Sequence, residues 1–115
     1  MSLEEELLAI ETELWIGGPE AFRRHTDKEC LVVFSEMAGV MSRDEVAKTA
    51  EKGRWKDVKM KEKGLSKLTD SSVVISYECN ATRQDGQPHH VFVSSGYAHR
   101  PDGWKLAFHQ QTKLQ

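Results

Sequence analysis

Apolar side chains recur at Leu3, Leu7, Ile10 and Leu14, with Leu8 and Trp15 widening the stripe. This spacing predicts an amphipathic helix over residues 3–16. Ser2 and Glu5 form the capping-box pair that starts it. Gly17-Gly18 ends it, and Pro19 suits the first position of a second, shorter helix that turns Ala21 and Phe22 inward and Arg23 and Arg24 outward. Cys30-Leu31-Val32-Val33-Phe34 is a continuous apolar run of strand length, which predicts a strand covered on both sides. Ser35 to Gly39 reads as a loop. Ser42-Arg43-Asp44-Glu45 repeats the capping-box pattern ahead of Val46, Ala47 and Ala50, so a third helix is expected over 43–52, stopped by Gly53.

The pattern then changes period. From Arg54 to Leu68 a lysine-rich stretch alternates, and its apolar positions change parity around Gly64, as in a bulged strand. Lys56, Lys59, Lys61 and Lys63 suit a sheet edge protected by charge. Val73 to Thr82 alternates cleanly. It meets the next run through Gln84-Asp85-Gly86, and a three-residue loop with Gly86 left-handed pairs Tyr77 with Val93 and Cys79 with Val91. The last two strands turn at Arg100-Pro101-Asp102-Gly103. A four-residue loop there sets Tyr97 opposite Leu106, Ser95 opposite Phe108 and Val93 opposite Gln110, gathering the large groups on one face. The other face would carry Ser76, Ser94, Gly96, Ala98, Ala107, His109 and Gln111.

With helices early and strands late, the 115-residue chain is expected to be one α+β domain over 1–115, a curved antiparallel sheet with three N-terminal helices on one face. The net charge of −2 gives no reason to expect nucleic acid or an acidic membrane as partner. No apolar run approaches the roughly 20 residues of a membrane span, and Glu4-Glu5-Glu6 is unlike a basic leader, so a cytoplasmic location is expected. Cys30 and Cys79 sit in apolar strand-like runs and read as reduced core residues. His89 and His90 are neighbours and face opposite ways, and His99 and His109 are assigned to opposite faces, so no metal site is expected.

The element order, and above all the ending Asp102-Gly103-Trp104-Lys105-Leu106-Ala107-Phe108-His109-Gln110-Gln111-Thr112, resembles the nuclear transport factor 2-like (SnoaL-like, cystatin-like) superfamily. Within it the ending is similar to a bacterial group of unknown function that finishes in Trp, Leu and His-Gln-Gln-Thr, and to the calcium/calmodulin-dependent kinase association domain. The resemblance implies a cone-shaped cavity between the helices and the concave sheet face, and a homodimer through the outer sheet face. It implies no single activity, because the fold carries isomerases, dehydratases, cyclases and non-catalytic modules.

Two readings follow. In the first, the chain binds a small apolar or aromatic molecule and acts, if it is an enzyme, by acid-base chemistry without a cofactor. Trp15, Phe34, Trp55, Tyr77, Tyr97 and Phe108 would line the cavity, each having a plain core role as its alternative, and Tyr77 and Tyr97 with Gln110 would direct hydrogen bonds at the ligand. Glu36 falls near the position where the resembled ketosteroid isomerases carry their Asp general base; burial would raise its pKa for that task, while a solvated loop carboxylate is its alternative. Those isomerases place a phenol on the first helix where this chain has Ile10 to Glu11, which argues against steroid chemistry. In the second reading the chain is a non-catalytic dimerisation or interaction module.

Overall fold

In the computed structural model, which describes residues 1–114, the caps and stripes form as the sequence predicts. Helix α1 spans Leu3–Ile16 behind a complete Ser2/Glu5 capping box, and α2 spans Pro19–His25 with Pro19 in its first turn. Gly18 makes the corner between them at φ 72°, where a Cβ would also lie 3.2 Å from the Lys52 backbone. Glycine is therefore required there twice over, for conformation and for space.

Strand β1 covers Thr26–Phe34, β2 Met37–Ser42, β3 Trp55–Thr69, β4 Ser72–Arg83, β5 Pro88–Arg100 and β6 Gly103–Lys113. They form one six-stranded sheet in the order β2-β1-β6-β5-β4-β3. The lysine-rich β3 is an edge strand, and its register shifts between Glu62 and Gly64. Tyr77 pairs with Val93 and Cys79 with Val91 across β4 and β5, with Gly86 at φ 90° in the connecting loop.

Five expectations are corrected. The segment after β1 is only a two-residue turn, Ser35-Glu36, before β2 returns along β1. Helix α3 is shorter than expected, Arg43–Lys48, because the Thr49 hydroxyl bonds back to the Val46 carbonyl at 2.7 Å and the last turn tightens. The sheet is mixed rather than antiparallel, since β6 runs parallel to β1 beside it. β1 is covered on one face only, and Leu31 on the other is 41% exposed. The fifth concerns β6. Tyr97 pairs with Leu106 as expected, but Gly96 pairs with Phe108, so β6 has a bulge at Ala107. Beyond that extra residue Ser95 faces His109 and Val93 faces Gln111, which sends Phe108 and Gln110 to the face expected for His109 and Gln111.

The helices cover the inner sheet face. Leu7 and Leu14 of α1, Ala21 of α2 and Val46 of α3 pack on Cys30, Val32, Ile75, Tyr97 and Leu106. Full burial of a side chain such as Leu7 or Leu106 stabilises the fold by about 1.5–3 kcal/mol. A second cluster, Trp15 with Tyr77, Cys79, Val91 and Val93, fills the end of the sheet toward the β4–β5 loop. Between these clusters and the β1–β2 turn the layers part.

Candidate functional site

The parting is a cavity of about 470 Å³, walled by α1, the segment after α3, the β1–β2 turn and the inner faces of β5 and β6. Its aromatic side is built by Trp15, at the C-terminal end of α1, and Trp55, the first residue of β3, whose rings meet edge to face at 5.1 Å. The His89 ring lies 5.1 Å from Trp55 and 6.0 Å from Trp15. Phe34 closes the opposite side, 6.0 Å from the ring of His109. Arg83, which also lines the cavity, sets its guanidinium 5.0 Å over Trp55, a cation on an aromatic face.

Beneath this wall lies a fully buried carboxylate. Glu11 belongs to the inward stripe of α1 with Leu7, Leu14 and Trp15. Its Oε1 accepts the Tyr77 hydroxyl and its Oε2 accepts the Tyr97 hydroxyl, while Trp15 Nε1 donates to the Tyr77 oxygen at 2.9 Å. Burial, and then the Glu11 charge, hold both phenols well above their ordinary pKa, so they keep the protons they donate. The same two causes push the thiols of Cys30 and Cys79 up to about 12 and leave them unreactive.

A second polar chain follows the sheet. His89 Nε2 meets Gln111 Oε1 at 3.1 Å, Gln111 Nε2 meets His109 Nε2 at 3.0 Å, and His109 Nδ1 meets Ser95 Oγ at 2.9 Å. Burial lowers the pKa of both histidines, against an upward pull from the Gln111 bond at His89 and from Glu11 at His109.

Of the residues singled out from sequence, Trp15, Phe34 and Trp55 line the cavity. Tyr77 and Tyr97 lie behind the wall, holding Glu11. Glu36 stands exposed at the mouth, without the burial its role as a base would need. Phe108 and Gln110 face away: Phe108 lies over Gly96, and the Gln110 amide bonds Thr112. Glu11, His89, His109 and Gln111 went unselected. A carboxylate inside an apolar helix stripe was a visible signal for Glu11, and the His-Gln-Gln-Thr ending marked His109 and Gln111, although the expected register placed them on the outer face. Among the described residues no group of three or more His, Cys, Asp or Glu could hold a metal ion, and no helix is long and apolar enough to cross a membrane.

No protein-family model matches the sequence, and no curated protein is similar to it. Solved structures are. A protein of unknown function from Prochlorococcus, itself of the nuclear transport factor 2-like type, superposes with a TM-score of 0.77 at 17% identity, over 100% of this chain and 95% of its own. The fold is the nuclear transport factor 2-like fold. A second protein of this fold, from Rhodospirillum rubrum and of unknown function in nutrient uptake, gives 0.79 at 11% identity over 100% of both chains. A provisionally assigned ketosteroid isomerase of Parabacteroides distasonis gives 0.79 at 12% identity, over 99% of this chain and 89% of its own. At such identities the shared nuclear transport factor 2-like architecture is what carries across, and the site must be read from this chain's own residues.

Proposed function

We propose that this chain binds a small, largely apolar or aromatic molecule in the cavity under its helices. The observation that carries the reading is the pairing of an aromatic wall with a polar interior whose groups are held in place by one another. Small-molecule sites have this make-up, apolar lining with a few fixed polar groups. The similarity to a provisionally assigned isomerase supports the same reading. Acid-base chemistry without a cofactor is its enzymatic form. Glu11 is not free to be its base, because both of its oxygens already accept phenol protons, and Glu36, exposed at the mouth, would serve only once a bound ligand buries it.

A homodimer is the second part of the proposal. Leu31, Val40 and Phe92 are exposed, at 41, 64 and 39%, and Leu31 adjoins both Val40 and Phe108 in the ladder. Such a face suits a two-fold contact of the patch with itself, and a dimerisation module with an idle cavity is the competing reading. Native mass spectrometry of freshly purified protein, followed by extraction, separates them. A dimer carrying a defined small compound is expected, and Ala50→Trp, which fills the cavity from the segment after α3, is expected to lose the compound and remain dimeric. An empty dimer with no thermal shift across a broad metabolite panel would favour the module.

A further inference from the structure

The hydrogen-bonded chain on the inner sheet face has a direction. Gln111 turns its carbonyl Oε1 to His89 Nε2 and its amide Nε2 to His109 Nε2. A carbonyl only accepts, so His89 Nε2 carries a proton; an amide nitrogen only donates, so His109 Nε2 carries none. The His109 proton is then on Nδ1, shared with Ser95 Oγ. Burial keeps both imidazoles below the ordinary value of 6.5, and each is neutral at pH 7 with a single ring proton. The two rings are therefore opposite tautomers. In His109 both nitrogens are in use. In His89 only Nε2 is, and Nδ1 has a lone pair with no partner among the described residues. The ring bearing that lone pair lines the cavity beside Trp15 and Trp55.

We propose that the cavity recognises its ligand at His89 Nδ1, and that the ligand is an aromatic compound carrying a hydroxyl or ring N–H that donates to this nitrogen. The proposal rests on the reading of the cavity as a small-molecule site and names the class of molecule. The aromatic part follows from the three ring systems in the wall, which meet one another at 36–67° and so offer a ligand ring both faces to stack on and edges to meet. The donor follows from the tautomer: an ether or an ionised acid would set a lone pair against a lone pair, whereas a phenol or indole supplies the missing proton. Gln111 is a positioning residue. It does not meet the ligand through this bond but fixes which nitrogen of His89 is bare.

Calorimetry with 2-naphthol and 2-methoxynaphthalene tests the donor, since the two share a ring system and differ in the O–H. On the wild-type protein 2-naphthol is expected to bind about tenfold more tightly, the worth of one good hydrogen bond. In His89→Phe, which keeps a ring in the wall, the ratio falls to about one. Equal affinities on the wild type overturn the donor assignment and leave the cavity reading standing. If neither compound binds while native mass spectrometry finds a retained molecule, the ligand class is wrong; if neither binds and nothing is retained, both readings fall. Long-range ¹H–¹⁵N correlation on the wild-type protein needs no variant and no ligand. It should show His89 protonated at Nε2 and His109 at Nδ1, and Gln111→Leu should let His89 populate both tautomers. The reverse pair of tautomers in the wild type overturns the proposal.

Discussion

Glu11 is a carboxylate with no exposed surface, and what makes it tolerable is that two phenols from the sheet donate to it, one of them held in turn by Trp15 Nε1 of α1. Removing one member leaves partners stranded. Tyr77→Phe deprives Glu11 Oε1 of its donor and Trp15 Nε1 of its acceptor, and an unmet buried group costs about 1–3 kcal/mol. For a domain of this class each kcal/mol lowers Tm by roughly 4–8 °C. Tyr97→Phe has the same kind of effect at the other oxygen. Because all of these act through one carboxylate, the costs should not add, and replacing the whole group with Glu11→Leu, Tyr77→Phe and Tyr97→Phe should recover part of the loss. Thermal unfolding of the wild type, the two single Phe variants, their double and the triple variant checks this; additive losses that deepen in the triple variant would count against a shared network. The signal for Glu11 lay in the sequence, since it falls on the α1 stripe four residues after Leu7 and four before Trp15. A stripe reads as hydrophobic, and a charge within it is legible only to a reader who asks what neutralises it.

At the scale of elements, the helices and the β4–β5 hairpin were legible because their determinants are local. A capping box, a Gly-Pro corner and a three-residue loop each act within a few residues. The β6 bulge is different. It is set by how β6 fits between β5 and β1, where Thr26 and Leu31 of β1 pair with Leu106 and Phe108, and no feature of the sequence Leu106-Ala107-Phe108 announces it. The regular alternation expected for β6 therefore selected Phe108 and Gln110 in place of His109 and Gln111. The strand β2 was missed for a related reason: Met37-Ala38-Gly39-Val40-Met41-Ser42 is mostly exposed or half-buried and carries no clean alternation. Deletion of Ala107 tests the bulge. Without the extra residue the ladder can run regularly while Leu106, His109 and Gln111 keep their inward positions, so the variant should fold with native far-ultraviolet circular dichroism and a Tm within a few degrees. A regular strand in the wild type would instead make the deletion turn every later residue over, and the protein would fail to fold.

For the whole molecule, the ionisable groups set a common direction of pH dependence. His89 and His109 are held below their ordinary value of 6.5 by burial. The unfolded chain thus takes up their protons first, and stability present above about pH 6.5 is lost as the pH falls toward the folded values. Glu13, Asp27 and Glu78 are lowered by hydrogen bonds from His25, Arg100 and His90, and their stabilisation is lost at lower pH still. Protonating His109 would also turn an Nε2–H against the Gln111 amide. Thermal unfolding between pH 7.5 and 4 should show Tm falling in two stages, the upper one reduced in His109→Gln. A Tm that stays level or rises from pH 7 to 5 would contradict the assignment of both histidines as neutral.

The parallel contact of β1 with β6 also bears on how the chain is made. During synthesis β1, ending at Phe34, emerges with β2 as a hairpin long before β6, beginning at Gly103, leaves the ribosome. The middle of the sheet is closed last, by the strand that also brings His109 and Gln111. Such distant pairing makes for slow folding and for a nascent chain with an open β-edge, so this protein's exposure to aggregation is concentrated in the interval before its final strand arrives.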